Sequence, residues 1–172
     1  MNRLSLGEIT NIAEIVGTVA IVVSLIFVGL QIRQNTSQIE ATSYQTGLRF
    51  IQTLDDLTAT PESADLVIKG LNNFDALSQI EKALFDSKLT DLCNDFFIAR
   101  QLYLQGTLSA EEFADFDRIM AQVLRSPGAV QWFATVRNVF PQRYQDLLDD
   151  IIRRHPNVQP WSDYYEYKQR KR

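Results

Sequence analysis

The chain has 172 residues, 45% of them hydrophobic and 22% charged, with a net charge of −4. That length holds one domain beside any membrane anchor, and the negative balance argues against a nucleic-acid partner. The lone cysteine, Cys93, excludes an intramolecular disulfide and a cysteine-based zinc site; its apolar neighbours predict a buried, inert thiol.

A short tail at 1–14 leads into the run 15–32, which carries no charge and is bracketed by Glu14 and Arg33. At the α-helical rise it spans roughly 27 Å, close to the ~30 Å hydrocarbon core of a bilayer. This predicts a transmembrane helix at 15–32. Two other segments share part of that pattern, a buried core helix and a cleaved signal peptide. The second is opposed by Glu8 and Glu14 before the run and by an exit, Gln31-Ile-Arg-Gln-Asn-Thr36, with no small-x-small cleavage site. Arg33 and Arg49 after the run against Arg3 before it orient the bulk of the chain to the cytoplasm.

Ala13, just before the run, and Gly17, Ala20 and Ser24 within it recur at spacings of four, three and four, so they share one helix face; Gln31, Asn35 and Gln38 continue it. Small residues let a second helix approach closely, and hydroxyls or amides can bond across the contact. These residues are the candidate helix–helix interface. No charged residue lines the span, so an ion path has no support there.

The remainder reads as a helical bundle at 33–155 and an aromatic, basic tail at 156–172. Proline is absent before Pro61, and Ile32, Ile39, Phe50 and Leu57, with Leu54 beside them, form one apolar sector, so the spanning helix is expected to continue into the bundle. Thr60-Pro61 ends it and starts a short helix to about Leu71, before a turn at Asn72-Asn73. Ser78-Gln-Ile-Glu81 and Ser109-Ala-Glu-Glu112 have capping-box form, and Gly106 supplies a helix stop between them. Apolar residues at Ile80, Leu84, Leu89, Leu92, Phe96, Ala99 and Tyr103 mark the expected inner face of the helix that Ser78 opens. Ser126-Pro127 reads as a cap followed by a first-turn proline, and Pro141 as a second such proline opening a helix to Arg154. No alternating strand pattern occurs. The fold class expected is all-α, an N-terminal transmembrane helix continuing into a small helical bundle.

Catalytic signatures are missing. The one histidine, His155, precedes Pro156 at a helix end, where a cap or an exposed side chain is its ordinary role. Glu-x-x-His pairs, zincin, Walker A, Gly-x-Gly-x-x-Gly and Gly-x-Ser-x-Gly patterns are absent, so no catalytic residue, metal or cofactor is expected. Asp91 and Asp95 share a helix face, with Lys88 and Arg100 in reach as ion-pair partners; Asp115-x-Asp117 lacks the glycine and distal glutamate of a calcium loop. The cluster Trp161 to Tyr167 is expected to pack over the bundle or, as the alternative, to form an interfacial or partner-binding strip, and Lys168-Gln-Arg-Lys-Arg172 reads first as a solvated end and second as a basic patch attracted to anionic headgroups.

The segment Glu14 to Thr36, with Tyr103-Leu-Gln-Gly106 and Pro127-Gly-Ala-Val-Gln-Trp132, resembles a group of uncharacterised bacterial single-pass membrane proteins. Their span exits in a Gln-Ile-Arg-Gln-Asn-Thr-like motif, and their helical domain has a Tyr-x-x-Gly-like turn and a Pro-Gly-x-x-Trp-like helix start; here one extra residue precedes the tryptophan. The resemblance implies a bacterial inner membrane and brings no activity with it. The function expected is a membrane-anchored helical bundle acting through protein–protein contact, with itself or a membrane partner. The alternatives are a membrane-bound carboxylate enzyme around Asp91 and Asp95, or a lipid or ligand sensor with an apolar cavity lined from the stretch 39–57.

Overall fold

The computed structural model describes residues 6–163, apart from the side chains of residues 6, 8–10, 12, 13, 40 and 43. The C-terminal Tyr164 to Arg172, including the basic end, lies outside the described residues. Those described are all helix, turn and loop, without a strand. Six α-helices follow one another: α1 (Leu6–Asp56), α2 (Pro61–Asn72), α3 (Gln79–Leu104), α4 (Ala110–Leu124), α5 (Pro127–Val136) and α6 (Gln142–Arg154), with single 3-10 turns at Phe74–Ala76 and Arg137–Val139. The chain divides into two compact units, 1–42 and 43–172, and α1 contributes to both.

In the first unit every described side chain is exposed. The hydroxyls of Thr18, Ser24 and Thr36 each donate to the carbonyl four residues back, at 2.9, 2.8 and 3.0 Å. That local bond satisfies a polar group without water or a neighbour.

The second unit has a continuous apolar core. Phe85, Leu89, Leu92, Phe96 and Ala99 of α3 run through it, met by Val67 and Leu71 of α2, Met120 and Leu124 of α4, Trp132 of α5, and Leu148 and Ile151 of α6. Phe50 and Leu57 carry the end of α1 into it, Phe50 lying 4.7 Å from Phe116 and 6.4 Å from Phe96 between ring centroids. The apolar sector expected from Ile32 to Leu57 is therefore buried only at its far end; Ile32 and Ile39 are exposed. On α3 the expected inner face is correct from Leu89 to Ala99. Its two ends differ: Ile80, Leu84 and Tyr103 are exposed, while Phe85, Cys93 and Phe97 are buried. Helices α2 and α4 both pack on α3, so its buried band is wider than one stripe and moves around the helix.

Local signals explain most boundaries. Ser78 and Glu81 form the expected capping box, the Glu81 carboxylate accepting from Ser78 N at 2.7 Å, and Ser109 with Glu112 forms the second. Gly106 has φ 72°, the left-handed conformation in which a side chain is strained. It closes α3 with bonds from Thr107 N to Leu102 O and Gly106 N to Tyr103 O, at 2.8 and 3.0 Å, a Schellman stop. Two expectations change. Ser126 makes no side-chain cap on α5: its hydroxyl donates to Gln122 O and accepts from the buried backbone N of Ser162, tying the chain after α6 to the end of α4. Pro141 stands one residue before the first turn of α6, at the cap position.

The Glu81 box yields a pH prediction. Lys69 donates to its carboxylate at 2.8 Å, and with the Ser78 bonds this pulls the carboxyl from 4.5 down to about 2. A depressed carboxyl contributes stability that is complete above its unfolded value and lost as pH falls through the folded one. Thermal unfolding followed from pH 6 to pH 2 should show stability falling between about 4.5 and 2, and Lys69→Met should flatten that fall.

Candidate functional site

The surface formed by residues 14–32 of α1 dominates the first unit. Its apolar window is long enough to cross a membrane, and among the described residues none of it is buried. Of the expected interface, Gly17, Ala20, Ser24, Gln31 and Asn35 are exposed, and the side chain of Ala13 lies outside those described. A Cβ added at Gly17 would meet nothing within 4 Å, so no described residue occupies the space that glycine leaves. Ser24 is narrower in use than its residue type suggests. Its proton is committed to Ala20 O, so toward another helix it offers only acceptor lone pairs.

The carboxylates singled out on α3 lie at a second place, a half-open cleft of about 400 Å³ lined by Arg49, Thr53, Asp56, Leu57, Lys88, Asp91 and Asp95. Asp95 is buried, although it falls among Leu92, Phe96 and Ala99 on the inner face of α3. Its charge is compensated from α1: Thr53 Oγ1 donates to Oδ2 at 2.6 Å, and Arg49 Nε lies 2.7 Å from Oδ1. The expected partners Lys88 and Arg100 are not used. Lys88 instead reaches back to Asp56 O, at 3.1 Å, and caps the end of α1. Asp91 stays exposed at the rim. The cleft is polar and charged, unlike the apolar cavity expected beside the stretch 39–57.

A third cluster was not legible as one in the sequence. Asp117 on α4 is buried and accepts from Arg154 Nη1 and Nη2 at 2.6 and 2.9 Å, while His155 Nε2 lies 2.7 Å from its Oδ2. Asp150 accepts from Arg154 Nε at 2.7 Å. Asp117 first, and Asp150 after it, raise the Arg154 pKa above its ordinary range, so this cation does not titrate. His155 does cap α6, as expected, and its ring also reaches across to α4. The available signal was positional. Asp117 sits between Phe113 and Met120 at helical spacing, so it falls on the apolar face of α4, where a charge needs a partner from another helix.

Both buried carboxylates act as ties, Asp95 between α1 and α3 and Asp117 between α4 and α6; both Asp117 oxygens accept hydrogen bonds, whereas Asp95 Oδ1 has the Arg49 ion contact but no hydrogen bond. Cys93 is buried, and desolvation pushes its thiol up to about 12, so it is protonated at neutral pH. Among the described residues no three His, Cys, Asp or Glu side chains gather as a metal site would require. Comparison with protein-family models, curated proteins and solved structures finds no match to this chain.

Proposed function

We propose that the protein is a single-pass membrane protein whose helical bundle is held at the bilayer by α1 and which acts by binding other proteins, itself included. The observation that carries this reading is the apolar window of α1, none of which is buried by the chain itself. In water, a contiguous apolar surface of that length is not left uncovered. Lipid covers it in this reading, and the open face at Gly17 receives a second helix. The bacterial inner membrane as the setting rests on the resemblance of Glu14 to Thr36 described above. The cytoplasmic side for the bundle rests on Arg33 and Arg49.

Two measurements test it. The full chain should remain in the membrane pellet after alkaline carbonate and high-salt washes. In membranes, chemical crosslinking should give species larger than the monomer, lost in Gly17→Leu, which disturbs nothing within the chain because the space beside Gly17 is open. Release of the protein into the wash overturns the anchor. Monomers alone, with Gly17→Leu changing nothing, overturn the pairing.

A further inference from the structure

The half-open cleft of about 400 Å³ beside Asp95 lies within the second unit, and it holds groups that the packing of the bundle does not use. Asp95 itself is only 3% exposed. Its Oδ2 accepts from Thr53. Its Oδ1 lies 2.7 Å from Arg49 Nε, an ion contact whose geometry makes no hydrogen bond. A buried carboxylate oxygen without a hydrogen-bond donor is costly to keep; one that belongs to the wall of a cleft is placed to take a donor from outside the chain. Asp56 and Asp91 line the same cleft, both exposed and neither paired with a cation among the described residues. Lys88 donates to the backbone carbonyl of Asp56, so it neutralises no carboxylate.

These groups select one class of ligand. The lining sets three carboxylates against two cations, so one negative charge is in excess and one positive charge balances it. What the cleft leaves free are carboxylate oxygens, which only accept, so the ligand must donate. The three carboxylates do not converge as a metal site requires. A quaternary ammonium has no N–H to give, and no aromatic ring lines the cleft to hold one. The volume falls at the lower end of small-molecule sites. Arg49 stands where the ligand's nitrogen would bond Oδ1. Its side chain is 69% exposed, so it swings into solvent with little packing lost, while Thr53 keeps its bond to Oδ2.

We propose that this cleft binds a small organic cation bearing N–H donors, a primary ammonium or a guanidinium, with Asp95 Oδ1 as the inner acceptor, Asp91 as the acceptor at the rim and Arg49 as the side chain that the ligand displaces. The site lies in the bundle and uses no residue of 14–32, so it stands or falls independently of the membrane reading above.

Titration calorimetry on the full chain in detergent tests it, with ethylammonium and methylguanidinium chlorides as probes at constant ionic strength. At least one should bind saturably at a single site. Tetramethylammonium, which has the charge without the donors, and propionate, which has the opposite charge, should not. Asp95→Asn should weaken binding by about tenfold or more, the scale of one hydrogen bond to a charged group. Asp91→Asn should weaken it less, and Arg49→Gln should tighten it, because the competing cation is gone. Asp55→Asn removes the same charge from an exposed position outside the cleft and should change nothing. Circular dichroism checks that each variant is folded; if Asp95→Asn is not, Asp91→Asn and Arg49→Gln decide. Absence of saturable binding overturns the proposal. So does equal binding of tetramethylammonium, an equal loss in Asp91→Asn and Asp55→Asn, or weaker binding in Arg49→Gln.

Discussion

Gly128→Ala should be the most damaging small substitution in the bundle. A Cβ at this position would lie 1.8 Å from Gly70 O, with Gly70 C and Phe74 N both at 2.9 Å. All three obstacles are backbone, so no rotamer change relieves the clash, and α2 and α5 must move apart. That separation strips contact from Trp132, which is fully buried and donates from Nε1 to Asp86 at 2.7 Å. It also strains the bond from Phe74 N to Gln131 Oε1, at 2.8 Å. The expected cost is about 3 kcal/mol, the upper end for overpacking a core, which lowers Tm by roughly 6–12 °C in a chain of this size. Thermal unfolding followed by circular dichroism in detergent measures it. Gly47→Ala is the control. Its Cβ would meet Phe116 Cζ at an ordinary 3.7 Å, and alanine gains up to ~1 kcal/mol over glycine inside a helix. An unchanged Tm in Gly128→Ala would mean that α2 and α5 do not cross at backbone contact.

Arg154→Met should have the next largest effect. It leaves the buried Asp117 carboxylate with His155 as its one remaining partner and Asp150 with Arg153 alone. Breaking a fully buried ion pair costs roughly 3–5 kcal/mol. Arg154 keeps 43% of its side chain exposed, so solvent screening reduces the expectation to about 2 kcal/mol. Adding Asp117→Asn should restore part of the loss, because the uncompensated charge is removed. A double-mutant cycle on unfolding free energy reads the coupling. Additivity of the two substitutions would show that Asp117 and Arg154 do not act as a unit.

The motifs behind the family resemblance have structural work to do here. Gly106 takes the left-handed turn that ends α3, and Tyr103 stacks on Phe113 with ring centroids 4.5 Å apart. Gly128 permits the α2–α5 crossing, and Trp132 fills the space below it. These positions serve local packing and a turn of the bundle.

What the sequence determined by itself is local. Helix starts, stops and the all-α class follow from caps, first-turn prolines and a left-handed glycine, each acting within one turn of chain. Two serine–glutamate boxes, Pro127 and Gly106 all stand where their chemistry requires. The apolar window of α1 was equally legible, because length and composition alone make it long enough to span. What only the tertiary structure decided are the pairings between distant residues. Lys88 and Arg100 were in reach of Asp95 along its own helix, yet Arg49 and Thr53 hold it, because the end of α1 lies against that face of α3. Ser126 looked like a cap and is instead a tie to Ser162. The approach of Gly70 to Gly128 is not written in the chain, since close backbone contact is a property of two helices together. The same reason divides α1: its small-residue face is written in spacing, but the fact that the chain itself leaves that face uncovered exists only in three dimensions.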